Sequence, residues 1–325
     1  MVRERGESSN VEKKHRKWIN RDREAAHELL VRDYFVVDSL YDLSKFEERF
    51  RISRNLFLRI ARDLACNYEF FQLRWDARVK CGFTTIQKCT VAFRQLAYDI
   101  AADASDEYLK MSERIGREYT YLFCEYVIKL YRDIYLRHLT KSDVEQLYAA
   151  HQAKHGFPWM LGSIDCDGIY PEYATFFKSY TFSANDKQKM FKLAQESAMK
   201  DVEQVFGVLK QKWHIIKHPA RTWDREKLRT MLTACVILHN TIIEEKDRAI
   251  CSYTTNDILN PPALIPVSSA AYFSRVLEIQ NRETQHNLRH DLTEYIRERQ
   301  FQGQNDSEDE DDDDGDGEED DGGER

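Results

Sequence analysis

Gly162-Ser163-Ile164-Asp165-Cys166-Asp167-Gly168-Ile169-Tyr170-Pro171 is the stretch on which the fold turns. The mainly apolar run Met160 to Asp165 predicts a short strand interrupted by Gly162, and Tyr170-Pro171 predicts a turn. Tyr173 to Phe177 reads as a second extended piece, and the polar, aperiodic Thr181 to Lys192 as a loop. From Gln195 to Trp213 helical periodicity returns, with Val202, Val205, Phe206, Leu209 and Trp213 on one stripe and Glu203 at its edge. Asp165, Asp167 and Glu203 together are candidate catalytic residues. Two divalent ions about 4 Å apart need shared acidic oxygens to clamp an in-line phosphodiester displacement. Only Cys166 separates the first two acids, closer than the usual version of such a site. Alternate residues of a strand share a face, so the pair can still hold one Mg²⁺ or Mn²⁺ through hard oxygens. The plainer reading makes the aspartates solvated or backbone-bonded at a strand end, and Glu203 a rim glutamate without a task.

The words around these acids resemble a known family. Phe157-Pro158-Trp159-Met160-Leu161-Gly162-Ser163-Ile164-Asp165-Cys166 is similar to the strand holding the first catalytic aspartate of PIF/Harbinger transposases, in the plant transposon branch. Asp167-Gly168-Ile169-Tyr170-Pro171 resembles the turn of the second. Asp201-Val202-Glu203-Gln204-Val205-Phe206-Gly207-Val208-Leu209-Lys210 resembles the helix of the third, and Leu238-His239-Asn240 a downstream motif. Upstream, Gln87-Lys88-Cys89-Thr90 and Arg94-Gln95-Leu96-Ala97-Tyr98 resemble the family's helix-turn-helix region.

The resemblance implies an α+β, mostly helical chain: an N-terminal helix-turn-helix bundle followed by a truncated RNase H-like DDE core. It implies a nuclear, DNA-binding, metal-dependent endonuclease. Asp165, Asp167 and Glu203 would ligate Mg²⁺ or Mn²⁺, water would be the nucleophile, and a separate DNA-binding partner protein could assist. In that family several dozen residues, forming two strands and a helix, separate the first two acids; here they are absent. The expectation is therefore a transposase-derived, DNA-binding protein with lost or impaired cleavage. The alternatives are an active nuclease, if the missing block belongs to the true message, and a non-catalytic protein-interaction adapter.

Five segments follow: a basic 1–30, a helix-turn-helix-like 31–150, the truncated core at 151–250, a helical extension at 251–304 and an acidic tail at 305–325. The tail holds fourteen Asp or Glu against one Arg, a net of −13 within an overall −8, so the rest of the chain carries +5. With almost nothing apolar to bury, the tail predicts disorder, either solvated without a role or competing with DNA for a basic groove. Lys13-Lys14-His15-Arg16-Lys17 suits nuclear import or phosphate contact, or else an exposed helix from about Lys17. Seven scattered cysteines without a Cys-x-x-Cys pair argue for reduced thiols. No run approaches transmembrane length, and none reads as a secretory leader.

Elsewhere the periodicity is helical: one helix over Phe46 to Ala65, one capped by Thr84-Thr85 to about Ile100, a short one at Asp103 to Met111, and one from Ser112 to about Tyr131. Three such helices can present the last to a major groove. Lys88, Arg94, Arg114 and Arg117 are candidate DNA contacts, and an ordinary bundle is the alternative. Lys210 and Lys212 open a second cationic run, with Lys217, Arg221, Arg225, Lys227 and Arg229, interleaved with Trp213 and Trp223. The histidine pairs 151/155, 214/218 and 286/290 lack nearby cysteines and read as coincidental or solvent-facing side chains rather than zinc sites. Asn260-Pro261-Pro262 breaks the chain before a last helical stretch, about Ala270 to Gln300.

Overall fold

The computed structural model describes residues 21–77, 79–99, 104–164, 173–177, 179–180, 182–217, 224–246, 249–251 and 269–308. The chain divides into two compact units at Phe123–Cys124, within one helix. Among the described residues no helix is long and apolar enough to cross a membrane. The same residues hold no strand, only one antiparallel bridge between Trp75 and Cys81.

The first unit builds α1 (Arg23–Tyr34), α2 (Leu43–Phe50), α3 (Arg54–Asn67), a 3₁₀ turn (Glu69–Phe71), α4 (Thr85–Tyr98), α5 (Ala104–Leu109) and the first turns of α6 (Glu113–Tyr135). The single helix expected over Phe46 to Ala65 is two. Arg51 takes a left-handed φ of 63°, and Ser53 recaps the chain by accepting from the Leu56 amide. Thr84 caps α4 as expected, with Gln87 closing a reciprocal box. Residues 87 to 93 and 95 to 97 of α4 are buried, so the helix runs through the middle of the unit. Around it Tyr34, Phe46, Phe50, Phe57, Phe93 and Phe123 interlock edge-on and stacked, with centroids 4.3–6.1 Å apart.

The second unit contains the rest of α6, α7 (Lys141–His155), α8 (Asp186–Lys212), α9 (His214–Lys217), α10 (Arg225–Glu245), α11 (Ala270–Ile279) and α12 (Arg282–Glu308). Its core joins Phe157, Met160, Phe191, Ala198, Leu292 and Ile296, with Phe177, Tyr180, Ala194 and Leu288 against them. α8 starts nine residues earlier than expected, capped by Asn185, so most of the predicted 181–192 loop is helix. One anchor suffices there: Phe191, flanked in sequence mostly by polar residues, is buried in that core, and Lys187 pairs with Glu294 of α12 at 2.7 Å.

The described part of the expected strand, residues 160–164, has no β partner, and residues 173–177 form a turn rather than a strand. A lone strand leaves its amides and carbonyls unpaired, so without neighbours this segment does not become one. The last helical stretch is broken at Gln280–Asn281, where Asn281 caps α12. The basic cluster Lys13-Lys14-His15-Arg16-Lys17, the acidic tail beyond residue 308, Trp223, Arg221 and Asn260-Pro261-Pro262 lie outside the described residues.

α7 is closed by its own chemistry. Thr140 and Asp143 form a reciprocal cap, and the Asp143 carboxylate accepts two hydrogen bonds from the Arg137 guanidinium. Asp143 is buried and the Arg137 side chain is 10 % exposed, and Arg137 holds the carboxyl well below the usual carboxylate range.

Candidate functional site

α8 carries Glu203, the last of the three acids read from the sequence. Asp165 and Asp167 lie outside the described residues. The segment before them is tied to α8: the Ser163 hydroxyl donates to the Ala198 carbonyl at 2.9 Å. One helical turn further, Asp201 receives the Lys154 ammonium at 2.6 Å and sits 2.7 Å from His155 Nε2. Lys154, foremost, and His155 depress the Asp201 carboxyl. The His155 side chain is buried, with its ring 6.0 Å from that of His151, whose own basicity falls through burial and the neighbouring imidazole. This clasp fastens the end of α7 to α8. The sequence reading missed it. Its only signal is His155 in the last turn of a helix closed by Gly156, and a second acid beside Glu203 on the same helix.

Glu203 itself is exposed. So is part of the stripe expected to bury beside it: Val205 and Phe206 are 50 % and 41 % exposed, and neighbouring Val208, outside that stripe, is 42 % exposed. A side chain added at Gly207 would meet nothing within 4 Å. The stripe is covered on either side of this gap, by burial of Phe191 and Ala198 before it and of Leu209 and Trp213 after it. In front of α8, Tyr148, Trp159, Met160, Phe176, Ala198 and Leu292 help line an open, mainly apolar cavity of about 710 Å³.

A divalent ion needs several hard oxygens converging on one point. Among the described residues no three His, Cys, Asp or Glu side chains gather in that way. Glu203 stands in solvent and Asp201 is engaged by Lys154 and His155, so the described donors alone do not fit Mg²⁺ or Mn²⁺.

The expected DNA contacts divide. Lys88 is buried, not on the surface, and its ammonium donates to the carbonyls of Phe70 at 2.7 Å and Gln72 at 3.2 Å. Burial draws it down to about 8. Arg94 is half-buried, its guanidinium 4.9 Å from the Tyr108 ring centre and 5.6 Å from that of Phe50. Both placements have one cause: α4 is central to its unit, so its cations pack against neighbouring groups of the same unit. Arg114 and Arg117 are exposed at the start of α6, Arg117 paired with Glu113. Lys210 is exposed, and half-buried Lys212 lowers the basicity of His239, which burial has already reduced. In the Leu238-His239-Asn240 motif, the Asn240 amide donates to the Tyr135 carbonyl at 3.0 Å, fixing α10 to the end of α6. Trp213 is fully buried, while Lys210 and Lys217 on either side of it are exposed. His286 and His290 are both exposed on α12, whereas His218 lies outside the described residues.

Residues 167–250 match the family described as plant transposon protein, and residues 27–65 match a domain of unknown function, DUF8418. No curated protein and no solved structure matches the chain. The first match spans all of α8, α9 and α10, and it supports a transposon-derived protein.

Proposed function

We propose that this is a transposase-derived, DDE endonuclease-like protein of the PIF/Harbinger type that binds DNA in the nucleus and has lost metal-dependent cleavage. The observation that carries this reading is the bare turn of α8. In an RNase H-like core the helix bearing the last acid must lie against a sheet. Here Glu203, Val205, Phe206 and Val208 all face solvent. Positioning dominates phosphoryl-transfer chemistry, and a misplacement of about 1 Å can cost about a hundredfold in rate. A carboxylate on an unsupported turn lacks that positioning. The absence of a block between Asp165 and Asp167 supplies the cause, because the strands it would form are the layer that α8 lacks.

DNA binding does not need that layer. It draws on exposed cations, Arg114 and Arg117 on the first unit and Lys210 on the second, which release counterions when they meet phosphates.

Two readouts on the full chain test the reading. Fluorescence anisotropy with a labelled duplex is expected to show salt-dependent binding. Thermal melting with excess Mg²⁺ or Mn²⁺ is expected to show no rise, because an assembled site would stabilise the folded state by mass action. A metal-dependent rise abolished by Glu203→Gln would overturn the loss of the site, and absence of duplex binding would overturn the DNA-binding half.

A further inference from the structure

Between the 3₁₀ turn and α4 the chain makes a small hairpin to which the sequence reading assigned nothing. Trp75 bridges Cys81; the Asp76 amide donates to the Lys80 carbonyl at 3.0 Å, and the Lys80 amide to the Asp76 carboxylate at 2.9 Å. Gly82 closes the base by donating to the Arg74 carbonyl at 2.8 Å, and a Cβ there would stand 2.8 Å from that same oxygen. Only glycine fits so close an approach. At the tip Val79 holds a φ of 56°, a conformation that β-branched residues avoid.

The hairpin's root is fixed while its tip is bare. Lys88 holds the carbonyls of Phe70 and Gln72, Thr85 donates to Phe71 O at 2.6 Å, and Arg23 donates to Cys81 O at 3.1 Å while lying over the Phe83 ring. Leu73, Trp75 and Val79 are nevertheless 48 %, 59 % and 79 % exposed. Arg74 and Lys80 are exposed beside them, and the sequence adds Arg78, against two acids, Asp76 and Glu69, the second paired with Arg74 at 2.5 Å.

The neighbouring helix seats the hairpin. Tyr119 of α6 meets Phe70 at 5.2 Å and Phe83 at 5.9 Å, one on each side of the hairpin. Arg114 and Arg117, with Glu113 and Glu118, therefore stand on the helix that seats the hairpin.

We infer that the Leu73–Cys81 hairpin is a duplex-DNA contact, with Arg74 and Lys80 on phosphates and the Trp75 ring against the sugar-phosphate edge, beside the first turns of α6. This rests on the DNA-binding reading above and gives it a site. A nucleic-acid partner accounts for cations and an exposed indole on one short, pre-set turn, since phosphates take the charge and an aromatic face packs alongside. A protein interface would deplete lysine at its centre. Pre-organisation also gives buried Lys88 its role: it anchors the hairpin's root rather than touching DNA.

The test uses the full chain, a labelled mixed-sequence duplex of about 20 base pairs and a salt series. Arg74→Ala with Lys80→Ala is expected to weaken binding about tenfold at ~0.15 M salt and to reduce the slope of log affinity against log salt by about 2. Trp75→Ala is expected to weaken binding about fivefold with the slope unchanged, and Trp75→Phe to recover most of that loss. Melting temperatures should stay at the wild-type value because these side chains are exposed; if the double variant melts early, Lys80→Gln alone reads the slope. Wild-type binding that every variant matches would overturn the hairpin assignment and leave the DNA-binding reading standing. A wild type that binds no duplex would overturn both.

Discussion

α4 and α8 are both amphipathic, both carry chemistry-bearing residues, and have opposite fates. α4 is wrapped by α1, α2, α3, α5 and a ring of aromatics until even Lys88 and Gln95 are buried. α8 is longer, at 27 residues against 14, yet it leaves the turn around Phe206 uncovered. The difference lies not in helix quality but in what the chain supplies to cover each face. The N-terminal unit wraps its central helix on every side, whereas the second leaves one turn of α8 in solvent, as the proposed loss of a core layer requires.

The contrast breaks most sharply in stability. Phe57→Ala, deep in the first unit, is expected to cost about 3–5 kcal/mol in chemical denaturation. Phe206→Ser on α8 should cost less than about 0.5 kcal/mol, as surface changes do. A loss of about 2 kcal/mol or more there would mean that the α8 face is covered.

The Arg137–Asp143 pair comes next. Arg137→Ala strands a buried carboxylate and should cost about 3 kcal/mol at neutral pH. Because Asp143 titrates lower in the folded chain than in the unfolded one, its contribution is present above about pH 4 and fades as pH falls towards the depressed folded value. The gap between wild type and variant should therefore narrow in acid; a constant gap between about pH 7 and about pH 3 would show that the carboxylate does not carry the effect. A smaller effect, about 1 kcal/mol, is expected for Thr84→Ala, which removes the α4 capping box and is read from the same denaturation curves.

Local features of the fold are legible in the amino-acid sequence. Thr84 announces the start of α4 because caps are local chemistry, and α6 begins directly after Ser112, as its sequence pattern predicts. The break at Arg51–Ser53 is written in the same code, since Ser53 is itself a capping residue, but apolar spacing runs through it and hides the turn. Other features depend on partners far along the chain. Phe191 anchors the first turns of α8 only because Leu292 and Ile296 of α12 join its core. Lys88 reads as a phosphate contact because nothing local says that the Phe70 and Gln72 carbonyls will reach it. Asp201 and His155 meet across forty-six positions of sequence, a separation that no periodicity reports. Glu203 is found from its neighbouring words, and those words carry no information about whether its helix is covered.

The most direct test is cleavage itself. Full-length protein incubated with supercoiled plasmid and Mg²⁺ or Mn²⁺ is expected to bind the DNA and leave it unnicked, with Asp167→Ala indistinguishable from wild type. Metal-dependent nicking by the wild type that disappears in Asp167→Ala would contradict the loss of the catalytic centre.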